Sequence, residues 1–592
     1  MIKLTDYIAK RLKEVYKVNH FFMVSGGGAM HLNDSLGRYI PYTANHHEQA
    51  CAIAAEGYAR VNQKLGVVNV TTGPGGLNTL NGVMGQWTDS IPVLYLSGQV
   101  KYTTMLACCP ELSLRQLGDQ EVDIISVVKP LTKYAVTVFD PTEIKYHLDK
   151  AIYEATHGRK GPVWLDIPMN VQGALIDEDN LKEFIPPAEA AKTDLKIDEI
   201  LTKLKSAKRP LIVAGHGIRL ASQEYNLLPL LEKMNVPVLT TFSSFDLVPT
   251  NHPLFAGRFG TVGQRAGNFV LQNADVILFL GTRNTIRQIS YNWENYAKNA
   301  YKIIVDIDEA ELKKPTVKPD LAVCADLADL MPTLLEKAED LFRPDWIQYC
   351  RAVNEKYNFE HTQEYHSKPN ERVNAYHFMH VLGEKLQEND IMSVANGSAC
   401  VCTHQVGVVK KGQRQFWNAG DASMGYALPA SIGACMDAAG RRVVCLEGDG
   451  SIMMNLQELE TIGFNRYPIK VFVINNAGYS SIRQTQRNFF QGHMTGSGAD
   501  SGVGMPDFKK LAAGFSLPFV RIENAENMPR QIEQVLSMEG PVLCEVMVEK
   551  EYAFTPKLSA RKLSDGTMVS PSLEDMFPFL DRDEFEKNMI KQ

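Results

Sequence analysis

The chain alternates between short apolar runs and stretches in which apolar residues recur at helical spacing. Residues 67–70, 93–96 and 471–474 are apolar runs of strand length, and each is separated from the next such run by an amphipathic segment. Nearly continuous apolar strands between helices are typical of parallel sheets that are covered by helices on both faces. The pattern therefore predicts an α/β fold built from doubly wound domains with parallel sheets.

Two linkers divide the chain into three blocks. Residues 176–195 contain Ile185-Pro186-Pro187 followed by an Ala/Glu-rich stretch, and residues 339–372 are polar and aromatic. The length of 592 residues also favours about three or four domains. We predict domains at residues 1–185, 190–345 and 370–555, followed by a C-terminal tail at residues 556–592.

The first and third blocks share one pattern of strand, glycine turn, helix and strand. In the first block, residues 67–70 lead into Gly73-Pro74-Gly75-Gly76 and then to residues 93–96. In the third block, residues 443–446 lead into Gly448-Asp449-Gly450 and then to residues 471–474. The near-equal spacing indicates two copies of one βαβ design, although coincidence among α/β folds would also explain it.

Composition and charge exclude several classes of protein. Apolar residues make up 45% and charged residues 22%, which is typical of a globular chain. A net charge of −7 without a basic block argues against nucleic acid as a partner, and no apolar stretch approaches the roughly 18 residues that a membrane span needs. Leu4, Ile8, Leu12 and Val15 predict an amphipathic N-terminal helix instead of a signal peptide. Ten cysteines without a CxxC pair favour free thiols, so we expect a cytoplasmic protein.

The most specific motif is Gly448-Asp449-Gly450-Ser451 combined with Asn475-Asn476. The turn follows an apolar strand and opens a helix, where backbone N–H groups and the helix dipole favour a phosphate. Asp449 offers a carboxylate oxygen at the end of one strand, and an asparagine offers an amide oxygen at the end of the next. These oxygens suit Mg²⁺. The glycine turn alone would be an ordinary turn, but the combination predicts a site for a diphosphate and a metal ion.

This motif resembles the thiamine diphosphate signature of the 2-oxoacid decarboxylase and acetolactate synthase superfamily. The resemblance implies that the first domain binds the pyrimidine of the cofactor and that the third domain binds its diphosphate. The implied Mg²⁺ ligands are Asp449, Asn476 and the carbonyl of Gly478, and the implied diphosphate contacts are Gly448, Gly450 and Ser451.

The resemblance also calls for a carboxyl group that shares a proton with N1′ of the cofactor pyrimidine. Glu48 stands at the start of a small-residue helix that follows residues 40–44. A solvated glutamate at a helix start is the alternative, because acidic residues are common there. The stretch from His47-Glu48-Gln49 to Ala59-Arg60 matches the family's version of this helix, which favours Glu48 as the activating acid.

Further positions are implied by the same resemblance. Gly73 and Asn78 lie in a stretch like the synthases' GPG segment, and Gln120 matches their active-site glutamine. The carbonyl of Ala422 would accept a hydrogen bond from the cofactor's 4′-amino group, and Met424 would be wedged under the cofactor. In this family the two cofactor-binding domains come from different subunits, so the resemblance implies a homodimer or homotetramer.

The middle block is predicted to be an open sheet with polar residues after its strands, where nucleotides bind. These segments resemble the FAD-contacting segments of the acetolactate synthases. We therefore expect FAD, while a vacant domain or bound ADP is the alternative. The expected contact residues are Gly215, Gly217, Gly281, Arg283, Asp306 and Asp326.

Three positions depart from the acetolactate synthases. Asp119, Met169 and Thr485 stand where those enzymes carry Phe, Lys and Trp. The changes remove bulk and a cation and add hydrogen-bonding groups, which favours a larger, polyhydroxylated or neutral acceptor. Arg487 and His493 follow on the capping segment, with Arg483 before them. They would be solvated or would meet an anionic group on a large acceptor.

The expected function is that of a thiamine-diphosphate- and Mg²⁺-dependent carboligase. It would decarboxylate pyruvate or a similar 2-oxoacid and transfer the acyl unit to a carbonyl acceptor, with a keto-sugar among the candidates. Acetolactate synthase proper, with pyruvate as acceptor, and a non-oxidative 2-oxoacid decarboxylase are alternatives. The intact cofactor motifs argue against a flavoprotein that has lost catalysis.

Overall fold

The computed structural model describes residues 1–188, 194–562 and 565–591. It contains three six-stranded sheets, and every pair of neighbouring strands within them is parallel. The predicted α/β class with three parallel-sheet domains is confirmed. The predicted start of the second domain at residue 190 lies outside the described residues.

The first domain covers its sheet with helices on both faces. Across the sheet the strands are Tyr42–Ala44, Phe21–Met23, Gly66–Val70, Val93–Gln99, Val163–Pro168 and Tyr134–Thr137. The helices are Leu4–Glu14, Met30–Tyr39, Glu48–Asn62, Pro74–Leu77, Leu80–Asp89, Ile124–Val128, Ile144–Thr156 and Met169–Gln172. Strand Ile2–Lys3 pairs antiparallel with Leu175–Ile176 and so joins the two ends of the domain.

The predicted N-terminal helix is present and turns its apolar side inward. Leu4, Ile8 and Leu12 are fully buried, as their spacing predicts. Val15 lies just beyond the last helical residue and is 52% exposed, so the apolar face ends one turn earlier than predicted.

The third domain repeats the topology of the first. Its strands across the sheet are Arg414–Phe416, Ile391–Val394, Val443–Gly448, Ile469–Asn475, Val542–Met547 and Phe519–Ile522. In both sheets the chain's second strand is at the edge, followed by the first, third, fourth, sixth and fifth. The shared sequence pattern therefore reflects one common design. The helices are Ala375–Lys385, Ser398–Val406, Ala427–Cys435, Asp449–Ile452, Glu458–Asn465, Ser480–Phe489, Phe508–Gly514 and Met528–Ser537.

The central domain has the strand order of dinucleotide-binding sheets. Its second and third strands lie on one side of the first strand, and its fourth, fifth and sixth strands lie on the other side, so the order reverses between the first and fourth strands. Across the sheet the strands are Phe255–Arg258, Val238–Thr240, Pro210–Ala214, Val276–Leu280, Tyr301–Asp306 and Leu321–Cys324. The helices are Ile197–Ser206, Gly217–Leu220, Glu224–Met234, Arg265–Asn273, Ile286–Ile289, Glu309–Lys313 and Leu327–Lys337.

The second predicted linker contains a helix, Pro344–Lys356, that the sequence reading missed. Trp346, Ile347, Cys350 and Val353 recur at helical spacing and are buried, so the aromatic character of this stretch reflects packing. After residue 555 the tail returns to the central domain, where the Asn273 side chain donates to the carbonyl of Asn588 (2.9 Å). The tail ends in the helix Arg582–Lys587 and includes the antiparallel pair Arg561–Lys562 and Met568–Val569.

Two predictions from composition can be compared with the structure. All ten cysteines lie in the described residues and are free. In the described part of the chain, no helix combines the length and apolar character needed to cross a membrane.

Candidate active site

Asp449 is held in place by two backbone hydrogen bonds. It begins the helix that follows strand Val443–Gly448, and its carboxylate oxygens accept from the N–H groups of Gly450 (2.8 Å) and Gly478 (2.9 Å). Gly478 has φ of 129°, a backbone conformation that favours glycine. Burial raises the pKa of Asp449 to about 6, so the ionised form that a cation requires prevails above that pH.

Asn476 supplies an oxygen at the neighbouring strand end. Its Oδ1 is buried and has no hydrogen-bond partner among the described residues, while its Nδ2 donates to Ser480 Oγ (3.4 Å). A buried acceptor without a partner is costly, and a cation beside Asp449 would satisfy it. The described residues contain no group of three or more His, Cys, Asp and Glu side chains that could hold a metal. The Asp449 carboxylate and the amide oxygen of Asn476 are hard oxygen donors, which fit Mg²⁺.

Arg483 is buried beside the loop at residues 476–479, which carries Asn476 and Gly478 and is called the metal loop below. This position contradicts both roles expected for Arg483. Its guanidinium donates to the carbonyl of Asn476 (2.9 Å) and to three other carbonyls nearby, so it braces the loop. It is neither solvated nor free to bind an acceptor. Arg487 pairs with Glu551 at the surface, and His493 is exposed.

The turn that carries Ala422 and Met424 is fastened to the helix of the diphosphate motif. The N–H of Gly425 donates to Ser451 Oγ (2.8 Å), and Asn455 Nδ2 donates to the carbonyl of Gly425 (2.8 Å). Met424 is 38% exposed, although most methionines of this domain are more buried. The third domain thus brings Ala422, Met424, Ser451 and the metal loop together, as the sequence predicts.

Glu447 is a buried acid that the sequence reading did not single out. It precedes the glycine turn, and its Oε1 accepts from the N–H of Leu428 near the start of helix Ala427–Cys435 (3.0 Å). Burial raises the pKa of Glu447 to about 7. The sequence feature that could have identified Glu447 is its position as the one charged residue in an apolar strand, directly before Gly448.

Glu48 is half-buried and hydrogen-bonded to another predicted site residue. Asn78 Nδ2 donates to Glu48 Oε2 (3.0 Å), and the side chain of His47 caps the helix that Glu48 begins. The chain entering this helix is held by the carboxylate of Glu458, which accepts from Asn45 Nδ2 (2.7 Å). These contacts fix the position of the Glu48 carboxyl.

The remaining predicted residues of the first domain lie at the carboxyl ends of its strands. A Cβ at Gly73 would collide with the carbonyl of Gln120, so the two loops are in contact. Asp119 and Gln120 are exposed, and Met169 begins the helix that follows strand Val163–Pro168. These side chains therefore border one edge of the sheet.

Within one chain the two halves of the predicted site do not meet. Helices Glu48–Asn62 and Ala427–Cys435 pack antiparallel, because Gly57 touches the Ala430 carbonyl and Gly433 touches the Ala54 carbonyl. Glu48 is nine residues before Gly57 along its helix, or about 13 Å at 1.5 Å per residue. Because the two helices run in opposite directions, the turn with Met424, which precedes helix Ala427–Cys435, lies on the side of this contact that is away from Glu48. Glu48 therefore does not face the metal loop of its own chain.

A cleft of about 240 Å³ opens at the central sheet, between the central and first domains. It lies at the carboxyl ends of the strands where the sheet order reverses. Both ring nitrogens of His216 are buried beside it and have no hydrogen-bond partner in the part of the chain that the structure describes. Gly215 does not line the cleft but packs against the backbone of Gly281. These features fit a nucleotide. The predicted residues that line the cleft are Gly217, Gly281, Arg283, Asp306 and Asp326.

Three family models match successive parts of the chain. They describe the N-terminal TPP binding domain (residues 2–126), the central domain (residues 197–334) and the C-terminal TPP binding domain (residues 395–546) of thiamine pyrophosphate enzymes. Thiamine pyrophosphate is another name for thiamine diphosphate.

Similar proteins match over nearly the whole length. The acetolactate synthase large subunit of Lactococcus lactis subsp. lactis (strain IL1403) is 31% identical over 95% of this chain and 95% of its own. The acetolactate synthase isozyme 1 large subunit of Escherichia coli (strain K12) is 29% identical over 90% and 92%. Acetolactate synthase 1, chloroplastic, of Zea mays is 29% identical over 91% and 85%.

Proposed function

The chain belongs to the thiamine pyrophosphate enzymes and is a thiamine-diphosphate-dependent enzyme of the acetolactate synthase type, and we propose that it transfers its acyl unit to a carbonyl acceptor other than a second pyruvate. The proposed donor is pyruvate or a similar 2-oxoacid, and a keto-sugar is the proposed class of acceptor. The observation that carries this is the replacement of three acceptor-side residues on an otherwise intact cofactor site.

The residues of this chain have separate proposed tasks at the cofactor. Thiamine diphosphate, when bound, supplies a carbon nucleophile that allows a 2-oxoacid to lose CO₂. Asp449, Asn476 and the carbonyl of Gly478 would hold Mg²⁺, and Gly448, Gly450 and Ser451 would hold the diphosphate. Glu48 would hold a proton at the pyrimidine N1′, with Asn78 orienting its carboxyl. Met424 and Ala422 would set the position of the pyrimidine, and Gln120 would face the substrate.

The acceptor side of the site supports a neutral, hydroxylated acceptor. Asp119 is an exposed carboxylate, and Met169 stands where the resemblance implies a lysine. An acceptor carboxylate would lose an attractive partner and meet an anion. Thr485 is exposed on helix Ser480–Phe489, where its Oγ1 donates to the carbonyl of Ser481 (3.1 Å). The place of a bulky indole is thus open to a larger acceptor.

We expect this protein to transfer its acyl unit to pyruvate, which gives acetolactate, less efficiently than to another carbonyl compound. A lost lysine–carboxylate contact is worth about 1–3 kcal/mol, or about 5- to 150-fold in acceptor preference. The measurement is kcat/KM for pyruvate as acceptor against a panel of aldehydes and keto-sugars.

Met169→Lys should shift this preference back toward pyruvate. Met538→Lys, which changes a half-buried methionine after helix Met528–Ser537, is the matched control. Rapid acetolactate formation that no added acceptor diminishes would instead establish an acetolactate synthase proper. Release of free aldehyde as the main product would establish a simple decarboxylase.

FAD is the proposed occupant of the central cleft. The support is the predicted residues that line it and the buried, unpartnered ring nitrogens of His216. We expect the purified protein to be yellow, with flavin absorbance that Arg283→Gln reduces and the exposed-site control Arg530→Gln does not. A colourless protein that takes up no flavin on reconstitution would favour a vacant domain.

The proposed active unit contains two copies of the chain, as a homodimer or within a homotetramer. The support is the separation of Glu48 from the metal loop within one chain. A second copy would bring its own Glu48 to the loop of the first, since a two-fold axis relates equal surfaces.

A further inference from the structure

The turn at residues 418–425, which carries Ala422 and Met424, contains a strained backbone position. Ala422 has φ of 57°, in the left-handed region that residues other than glycine seldom adopt. Such a conformation persists only where the surrounding contacts enforce it. The carbonyl of Ala422 is also the proposed acceptor for the 4′-amino group of the cofactor. Its direction therefore depends on the contacts that keep the turn in this conformation.

Asn396 makes such contacts from a neighbouring strand. It follows strand Ile391–Val394 by two residues and is buried. Its Nδ2 donates to the side-chain oxygen of Asn418 (2.5 Å) and to the carbonyl of Ser423 (2.8 Å). Asn418 precedes Ala422 in the turn, and Ser423 follows it directly. One amide group therefore binds the turn on both sides of the strained residue.

Asn418 links the two sides of the turn to each other. Its carbonyl accepts from the N–H of Ala422 (3.0 Å), and its Nδ2 donates to Ser423 Oγ (3.3 Å). Both of these bonds need one orientation of the Asn418 residue, in which its Oδ1 points to Asn396. The hydrogen bond from Asn396 therefore also orients Asn418, which closes the turn across Ala422.

The other side chains that hold this turn act on one side of the strained residue. Asp89 accepts from two backbone N–H groups before Ala422, and Ser451 accepts from the N–H of Gly425 after it. In the part of the chain that the structure describes, Asn396 is the one side chain from outside the turn that donates on both sides of Ala422. The conformation at Ala422 is therefore expected to depend on Asn396 most directly.

We propose that Asn396 is a positioning residue for the cofactor pyrimidine, because it holds the carbonyl of Ala422 in the direction that the 4′-amino group requires. The inference rests on the proposed function, which assigns this carbonyl to the cofactor. Asn396 acts through Asn418, Ser423 and the backbone of Ala422. Loss of its Nδ2 should disturb the pyrimidine and leave the Mg²⁺ and diphosphate contacts, which belong to other loops, in place.

The first test is Asn396→Asp in the full-length protein with thiamine diphosphate, Mg²⁺ and FAD. A carboxylate has nearly the size of the amide but cannot donate either hydrogen bond. Exchange of the C2 proton of the cofactor should slow by about 10²-fold, a cost that a displacement of about 1 Å can produce. Affinity for thiamine diphosphate should change far less. Asn465→Asp, at an exposed helix position, is the matched control and should change neither quantity.

Two further readouts follow the turn itself. Without cofactor, the backbone amides of residues 418–425 should exchange their hydrogens faster in Asn396→Asp than in the unaltered protein, because the turn opens more often. With thiamine diphosphate labelled with ¹⁵N at the 4′-amino group, the NMR signal of the bound cofactor should shift, because its hydrogen bond to Ala422 changes. If neither the amide exchange nor the cofactor signal differed from the unaltered protein, the proposal would be overturned.

A second substitution separates positioning from a general loss of folding. Glycine adopts a φ near 57° without strain, so Ala422→Gly should reduce the need for Asn396. We expect it to restore part of the C2 exchange that Asn396→Asp loses. Ala419→Gly, which loosens the same turn at a position without strain, should restore none. Equal effects of the two glycine variants would contradict the role of Asn396. If Asn396→Asp does not fold, Asn396→Ala removes both hydrogen bonds without adding a charge and is measured in the same way.

Failure of this inference can be told apart from failure of the proposed function. C2 exchange and both readouts of the turn precede the acceptor, so a different acceptor would leave them unchanged. Fast C2 exchange in Glu48→Gln would place the error in the proposed activation of the cofactor. Amide exchange at residues 418–425, measured without cofactor, would still decide whether Asn396 holds the turn.

Discussion

Glu48→Gln is expected to slow exchange of the C2 proton of bound thiamine diphosphate by about 10²–10⁴-fold, the usual contribution of a positioned acid or base. The amide has nearly the size of the carboxyl group, and its oxygen can still accept the hydrogen bond that Asn78 donates (3.0 Å). The helix start and its cap by His47 should therefore survive. What the variant loses is a group that can hold and release a proton at N1′. The measurement is hydrogen–deuterium exchange at C2, followed by NMR.

A loss of folding would produce the same loss of activity, so affinity must be measured beside exchange. Binding of thiamine diphosphate to Glu48→Gln should stay near that of the unaltered protein. Glu14→Gln, an exposed glutamate at the end of the first helix, is the matched control and should change neither quantity. Unchanged exchange in Glu48→Gln would remove Glu48 from the proposed mechanism.

The parts of the site that sequence could predict are those where polar residues follow strands. Asp449 and Asn476 belong to turns after neighbouring parallel strands, and such turns must lie at one edge of the sheet. The structure places both there, with the Ala422–Met424 turn fastened to the same helix through Ser451 Oγ. Local order along the chain was sufficient because one sheet brings these segments together.

Other features depend on packing between distant segments, and sequence could not show them. Arg483 is a charged residue on the segment after Asn475-Asn476, where solvation is the ordinary expectation, yet loop carbonyls accept hydrogen bonds from its guanidinium. The contact of Gly57 with Ala430 separates Glu48 from Met424 within the chain, and nothing in either motif reveals this orientation. In each case the deciding neighbour is hundreds of residues away or belongs to another loop.

Asp449→Ala is expected to abolish Mg²⁺-dependent binding of thiamine diphosphate. Asp449 is the one carboxylate among the proposed ligands, so its removal leaves neutral oxygens that bind a hard cation weakly. The variant also loses the acceptor for the N–H of Gly478, whose carbonyl is another proposed ligand. The loss should exceed the 10–100-fold typical of changing an outer-sphere partner. Titration of thiamine diphosphate with and without Mg²⁺ measures it, with the exposed Asp329→Ala as control.

Mixing the two inactive variants tests the metal residue and the two-copy site together. If each site combines Glu48 of one chain with Asp449 of its partner, a mixed dimer of Glu48→Gln and Asp449→Ala contains one site with both changes and one with neither. Random reassembly of equal amounts should then restore about a quarter of the unaltered activity, because half of the two-fold dimers are mixed and each has one intact site. No recovery after subunit exchange would mean that both residues act within one chain. Tight, EDTA-insensitive cofactor binding by Asp449→Ala alone would refute the metal site.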